Sequence, residues 1–204
     1  ANMAKFFDAY RIDHVLGFFR IWEIPIDSVH GLLGQFSPAL GMTRAEIEAY
    51  GLRFQEELFT EPFITDWVLE RMFGERAAMV RDAYLVPSHD GRYRMKPEFD
   101  TQRKVEAAFA GKTSQDDLNL RDGLYALISD VLFVRDHRDC NKFHPRISVQ
   151  FDFIYESLYD SDKYLFNKIY NDYYYRRNNQ FWYREAMNKL PKIVEATRML
   201  VCAE

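Results

Sequence analysis

Three charged residues carry the chemistry that this chain has on offer. Arg11 and Asp13 stand two positions apart in "KFFDAYRID", and Glu204 closes "MLVCAE". In a strand alternate side chains share a face, so Arg11 and Asp13 point the same way. A guanidinium beside a carboxylate favours its ionised form, the state that a nucleophilic carboxylate needs. A carboxyl group delivered by a buried strand has the opposite tendency. Low dielectric raises its pKa, which suits a general acid. Each has an ordinary alternative: Arg-x-Asp is also a common strand-end salt bridge, and a terminal Glu is also a solvated chain end. His14 follows Asp13, and a His at a strand end often serves only to satisfy a hydrogen bond. In "HRDCNKFH" His137, Cys140 and His144 have a spacing that could be misread as a metal site. Three mixed ligands in a loop rich in Arg and Lys make a poor zinc centre, and we expect neither a metal nor a cofactor.

The elements that would position these residues follow from patterning. Lys5 to Asp13 and Met199 to Glu204 read as two short strands, the first apolar enough to be buried on both faces. Between them the pattern is mostly helical. Thr43 and Glu46 form a capping box for a helix that Gly51 stops. Thr60 is expected to cap a helix with Pro62 in its first turn, running to Phe73, with Gly74 as its breaker. A further helix runs to about Tyr84. Asp90-Gly91 marks a small β-hairpin. Asp100 or Thr101 and then Ser114 cap two more helices, the second with an apolar stripe through Leu120, Leu124, Leu127 and Ile128. "RISVQF" reads as a short strand. Ser161 or Asp162 opens a helix through about Arg176, and a last helix spans about Asn179 to Thr197, with a kink or break expected at Pro191. In the aromatic run "YNDYYYRRNNQFWYREA", Tyr170, Tyr173 and Tyr174 share a helical face and Tyr175 turns away. Packing is favoured there over a sugar-stacking platform, and Arg176 and Arg177 read as a solvated helix end.

Composition sets the outer limits. The 204 residues are 48% apolar and 28% charged, which describes a folded chain rather than a disordered one. That length bounds one domain or two small ones, and falls short of the roughly 250 residues of a complete (β/α)8 barrel. With 27 Lys and Arg against 31 Asp and Glu, the net charge is −4, unsuited to nucleic-acid binding. No apolar run approaches the roughly 18 residues of a membrane span, and Ala1 to Arg11 lacks the layout of a signal peptide. Cys140 and Cys202 are read as free thiols in a reducing, cytoplasmic setting. Aromatic residues reach 16%, which implies a heavily aromatic core or rings offered to a flat partner such as a sugar.

The segment "FDAYRIDHVLGFFRIWEIP", Phe7 to Pro25, resembles the nucleophile region of the 4-alpha-glucanotransferases of glycoside hydrolase family 77, the amylomaltases and disproportionating enzymes. The variant "GFFRIWE" is most similar to the type 2 branch. "MLVCAE" resembles the strand that delivers the family's acid/base Glu. "GLLGQFSPALGMTRAEIEAYG", "VLFVRD", "KFHPRIS" and "IYNDYYYRRNNQFWYREAMNKLP" resemble the long insertion of that branch. Roughly 190 residues separate Asp13 from Glu204, where an ordinary βαβ step takes about 30.

The resemblance implies a mainly α chain: a helical insertion flanked by two short parallel strands of an interrupted barrel. Residues 1–25 would hold the nucleophile strand and loop, 26–178 the insertion, and 179–204 the barrel helix and the acid/base strand. It implies a retaining transfer in which Asp13 attacks the donor glucan and Glu204 serves as acid, then base. Arg11 would keep Asp13 ionised, His14 would bind a sugar hydroxyl, and Trp22 would pack or touch sugar. Maltose and alpha-1,4-glucans are the implied donors and a glucan the acceptor. The family's third carboxylate comes from a later barrel strand outside this sequence, so the chain is expected to be an inactive piece of a larger enzyme whose remaining barrel is its partner. Exposed terminal strands could pair between copies. A different reading makes the helical part a non-catalytic interaction or regulatory module.

Overall fold

The computed structural model describes residues 3–88 and 90–204. The chain opens with β1 (Ala9–Ile12), β2 (Ile21–Glu23), β3 (Gln35–Ser37) and β4 (Met42–Thr43). Helices α1 (Arg44–Glu48), α2 (Glu56–Thr60), α3 (Asp66–Phe73) and α4 (Ala77–Tyr84) follow, then the hairpin of β5 (Leu85–Pro87) and β6 (Tyr93–Met95). Next come α5 (Gln102–Ala108), α6 (Gln115–Ser129), β7 (Phe133–Arg135) and β8 (Lys142–Pro145). The chain finishes with α7 (Phe153–Ser157), α8 (Asp160–Asn171), a π-helical turn over Asp172–Arg177, α9 (Asn178–Glu195) and β9 (Leu200–Ala203). Helix dominates, as the patterning predicted, and the expected hairpin around Asp90-Gly91 is present.

Local chemistry explains most boundaries. Thr43 and Glu46 close a reciprocal capping box at α1, and Gly51 follows the helix at φ 98°, a conformation that only glycine adopts without strain. Thr101 and Ser114 cap α5 and α6 through their hydroxyls. The helix expected from Thr60 opens at Asp66 instead, capped by Thr65, whose hydroxyl accepts from Val68 N–H. Residues 62–64 are held extended by long-range bonds: Phe63 N–H donates to Asp130 O, and Ile64 bridges to Tyr93. "RISVQF" forms no strand. Its Arg146 turns inward to donate to Ser129 O and pair with Asp152, Ser148 adopts φ 58°, and a 3-10 turn follows at Val149–Phe151. Pro191 does not break α9, which is continuous from Asn178 to Glu195.

Two apolar clusters make the core. One interlocks Phe54, Phe59, Phe133, Phe143 and Phe166, all buried. Their rings meet edge-on or tilted at 4.6–6.2 Å, geometries that suit the aromatic quadrupole. The other gathers Ile64, Val68, Leu69, Val80, Val105, Leu124 and Leu127 from the helices. Phe63 packs against both clusters. Tyr173 is buried and Tyr175 is 72% exposed, so that part of the aromatic excess is packing, on the face expected. Arg177 is not a solvated helix end: it donates to Leu40 O, Gly41 O and Glu46.

The sheets are small: β2–β3, β5–β6 and β4–β8–β7 are antiparallel, whereas β1 and β9 pair in parallel. The β1 segment was expected to be buried on both faces. Instead Ala9 and Arg11 are exposed, Tyr10 and Ile12 are only half-buried, and Phe6 before the strand is 79% exposed, in a sheet of two strands. Among the described residues no helix is long and apolar enough to cross a membrane.

Candidate active site

Parallel pairing of β1 with β9 brings the two ends of the chain into one place. The register sets Arg11 opposite Cys202 and Ile12 opposite Ala203, so Asp13 and Glu204 leave the sheet side by side. Glu204 N–H donates to Ile12 O at 3.1 Å and Val15 N–H to Glu204 O at 2.8 Å, which extends the ladder past both carboxylates. Neighbouring strands lie about 4.8 Å apart, the scale on which two carboxyl groups can act on one bond.

Arg11 joins them. Its Nη2 lies 3.3 Å from Asp13 Oδ1 and also pairs with a Glu204 carboxylate oxygen. Sequence reasoning assigned Arg11 to Asp13 alone, since nothing local signals a partner so distant in the chain. The Glu204 side chain is 67% exposed among these residues, as is that of Asp13. His14 stands at φ 51° and is 95% exposed, with Nε2 3.8 Å from Asp13 Oδ2. It borders the pair and faces solvent.

Trp22 lies apart from this group, in the β2–β3 hairpin. Its indole N–H donates to Gly31 O at 3.0 Å, and its ring meets Phe36 edge-on at 4.8 Å. Phe36 meets Trp182 of α9 at 4.7 Å, and Trp182 N–H donates to Pro38 O. Of the two roles foreseen for Trp22, packing is the one that these contacts describe.

His144 is buried. Its Nε2 lies 2.8 Å from Asp136 Oδ2 and its Nδ1 hydrogen-bonds the Tyr173 hydroxyl. With burial lowering the pKa of this His, the neutral ring donates to Asp136 and accepts from Tyr173. Both ring nitrogens are taken, which leaves this His no lone pair for a metal. The "HRDCNKFH" spacing gives no sign of this link into the core, because Tyr173 is a distant partner. Cys140 and Cys202 are exposed free thiols.

The arrangement is a pair of exposed carboxylates on adjacent parallel strands, bridged by one guanidinium. That class of site can divide nucleophilic and acid/base work between two acids. The 4-alpha-glucanotransferase profile of glycoside hydrolase family 77 matches residues 1–204, and the chain belongs to that family. A relative named 4-alpha-glucanotransferase DPE2, from Oryza sativa subsp. japonica, is 31% identical over 208 residues, spanning 100% of this chain and 22% of its own length. No solved structure matches the chain.

Proposed function

We propose that this chain supplies the nucleophile and the acid/base of a retaining 4-alpha-glucanotransferase. Asp13 attacks the anomeric carbon of a maltose or alpha-1,4-glucan donor while Glu204 protonates the departing oxygen. Glu204 then takes the proton of an acceptor hydroxyl, which displaces Asp13. Arg11 holds both carboxylates before substrate arrives and releases Glu204 for protonation as sugar enters. His14, exposed beside Asp13, donates to a donor-sugar hydroxyl. The β1–β9 pairing, which seats Asp13 next to Glu204 across roughly 190 residues, is the observation that carries the reading.

Residues 1–25 and 179–204 are the barrel parts in this reading, and 26–178 the insertion. The boundary near 178 falls within one helical rod, α8 through α9, so the insertion is mechanically continuous with the helix that leads to Glu204. The 204-residue chain by itself lacks transferase activity, because the third carboxylate of the family comes from elsewhere.

Disproportionation of maltose by the whole enzyme tests the assignment. Asp13→Asn and Glu204→Gln are each expected to lower kcat by a factor of about 10²–10⁴. Wild-type turnover in either variant overturns the assigned role. Glucose release by the isolated chain, abolished by Asp13→Asn, overturns the claim of inactivity.

A further inference from the structure

His14 holds a backbone conformation that its own residue type disfavours. It stands in the left-handed region at φ 51°, ψ 48°, where a Cβ crowds the following carbonyl. Such a residue keeps that conformation only when its surroundings over-determine it. The His14 side chain supplies no restraint, being 95% exposed with no capping hydrogen bond.

The restraint lies in the chain on either side. Glu204 brackets the residue: its N–H donates to Ile12 O, and its O accepts from Val15 N–H. Beyond, Gly17 N–H donates to His14 O and Arg20 N–H to Leu16 O, both at 2.8 Å, around a 3-10 turn at Val15–Phe18. Carbonyls at the end of a helical turn lack partners within it. Phe18 O finds one in another element, since Lys189 Nζ of α9 donates to it at 2.8 Å. Two residues on, the Arg20 guanidinium lies over the Trp182 ring of α9 at 5.0 Å and the Phe36 ring at 5.5 Å. Trp182 is 2% exposed and its N–H donates to Pro38 O at 2.7 Å, so that platform is fixed from its far side. Ahead of Asp13, the Tyr10 hydroxyl donates to Ile193 O of α9 at 3.2 Å. One helix thus grips the chain both before Asp13 and after His14.

We propose that Lys189, with Arg20, is a positioning residue. These two cations hold the turn after Asp13 against α9, so that His14 keeps its left-handed backbone and both side chains keep their place beside Glu204. Their own contacts are with a carbonyl and with rings, not with the reacting carboxylates. A carbonyl accepts from either kind of cation, so Lys189→Arg preserves the contact, whereas Lys189→Met keeps the length of the side chain and loses the donor. The bearing on turnover rests on the proposed function; the conformation of His14 does not.

Lys189 is exposed, so its substitution leaves both cores intact. Backbone chemical shifts of His14 in the 204-residue chain give one readout, with circular dichroism to confirm folding. Left-handed values are expected in wild type and in Lys189→Arg. They are expected to be lost in Lys189→Met, alone and combined with Arg20→Met. Maltose disproportionation by the whole enzyme gives the other readout. Lys189→Met is expected to lower kcat about fivefold with KM within about twofold of wild type, the double variant to lower it further, and Lys189→Arg to stay near wild type. Left-handed His14 shifts in the folded Lys189→Met and double variants overturn the proposal, and so do equal losses of turnover in Lys189→Met and Lys189→Arg. Wild-type turnover in the double variant, with Asp13→Asn inactive, overturns the positioning role and leaves the proposed function standing. Wild-type turnover in Asp13→Asn overturns the proposed function, and the His14 shifts then decide the positioning claim by themselves.

Discussion

Asp130 is the residue whose burial has the clearest energetic consequence. It ends α6 with its carboxyl interred between the two cores, where Oδ1 accepts from Ile154 N–H and Oδ2 has no hydrogen-bond partner. Burial pushes the carboxyl up to about 6, against the opposing pull of that N–H and of the Arg146 charge. The folded chain therefore holds this proton more tightly than the unfolded chain, whose Asp titrates near pH 3.9. The associated stability is fully present below about pH 4 and is lost as pH rises through about 6. At pH 7 the loss is on the order of 3 kcal/mol. Asp130→Asn keeps an acceptor for Ile154 and removes the buried charge. Urea unfolding at pH 4 and pH 7 should show the variant gaining at pH 7 and its profile flattened in between. An unchanged slope would sink this account. No local motif announces Asp130, because its environment is built by Phe63, Arg146 and Ile154 from three other segments.

The β2–β3 hairpin shows at the scale of elements how packing disciplines the chain after Asp13. Gly34 lies against Trp22: a Cβ there would come within 2.7 Å of the indole and 2.8 Å of Glu23 O. The edge-on Trp22–Phe36–Trp182 contacts then fasten this hairpin to α9, and Arg20 lies over Phe36 and Trp182 at 5.5 and 5.0 Å. Lys189 on the same helix donates to Phe18 O, in the turn that follows His14. Gly34→Ala is expected to cost about 1–3 kcal/mol by overpacking and to shift Trp22 fluorescence. A melting temperature and emission equal to wild type would show that the indole yields freely. The capped helices were readable in the sequence because Thr43, Thr101 and Ser114 act within a single turn. The misplaced start at Thr60 and the lost "RISVQF" strand share a cause, since distant partners (Asp130 O for Phe63, Ser129 O for Arg146) outweighed local preference.

Packing across the 204 residues is uneven. Its helical body closes on two cores, whereas Phe6 and Leu200, next to and in the β1–β9 sheet, are 79% and 68% exposed, and Ile26, after β2, is 88% exposed. Apolar surface of that kind, beside a two-stranded sheet with open edges, favours association. The 204-residue chain is expected to self-associate with rising concentration, and Phe6→Ser with Ile26→Ser to shift it toward monomer in sedimentation experiments. A wild-type chain that stays monomeric at high concentration would contradict this. The helices from α8 to α9, joined by the π-helical turn, run from the helical body to the segment that leads into β9.

The sequence by itself determined the short-range features: capped helices, the Asp90-Gly91 hairpin, the face shared by Tyr170, Tyr173 and Tyr174, and the "RIDH" and "MLVCAE" segments that carry the family resemblance. Each is set by interactions within a few residues or by residue types read directly. Tertiary structure alone decided that Arg11 bridges Asp13 and Glu204, that Asp130 is interred and that Arg177 pins the 38–41 loop. Those arrangements depend on parallel pairing and packing between segments far apart in the chain, and loop closure over such distances leaves no periodic trace for a sequence to show.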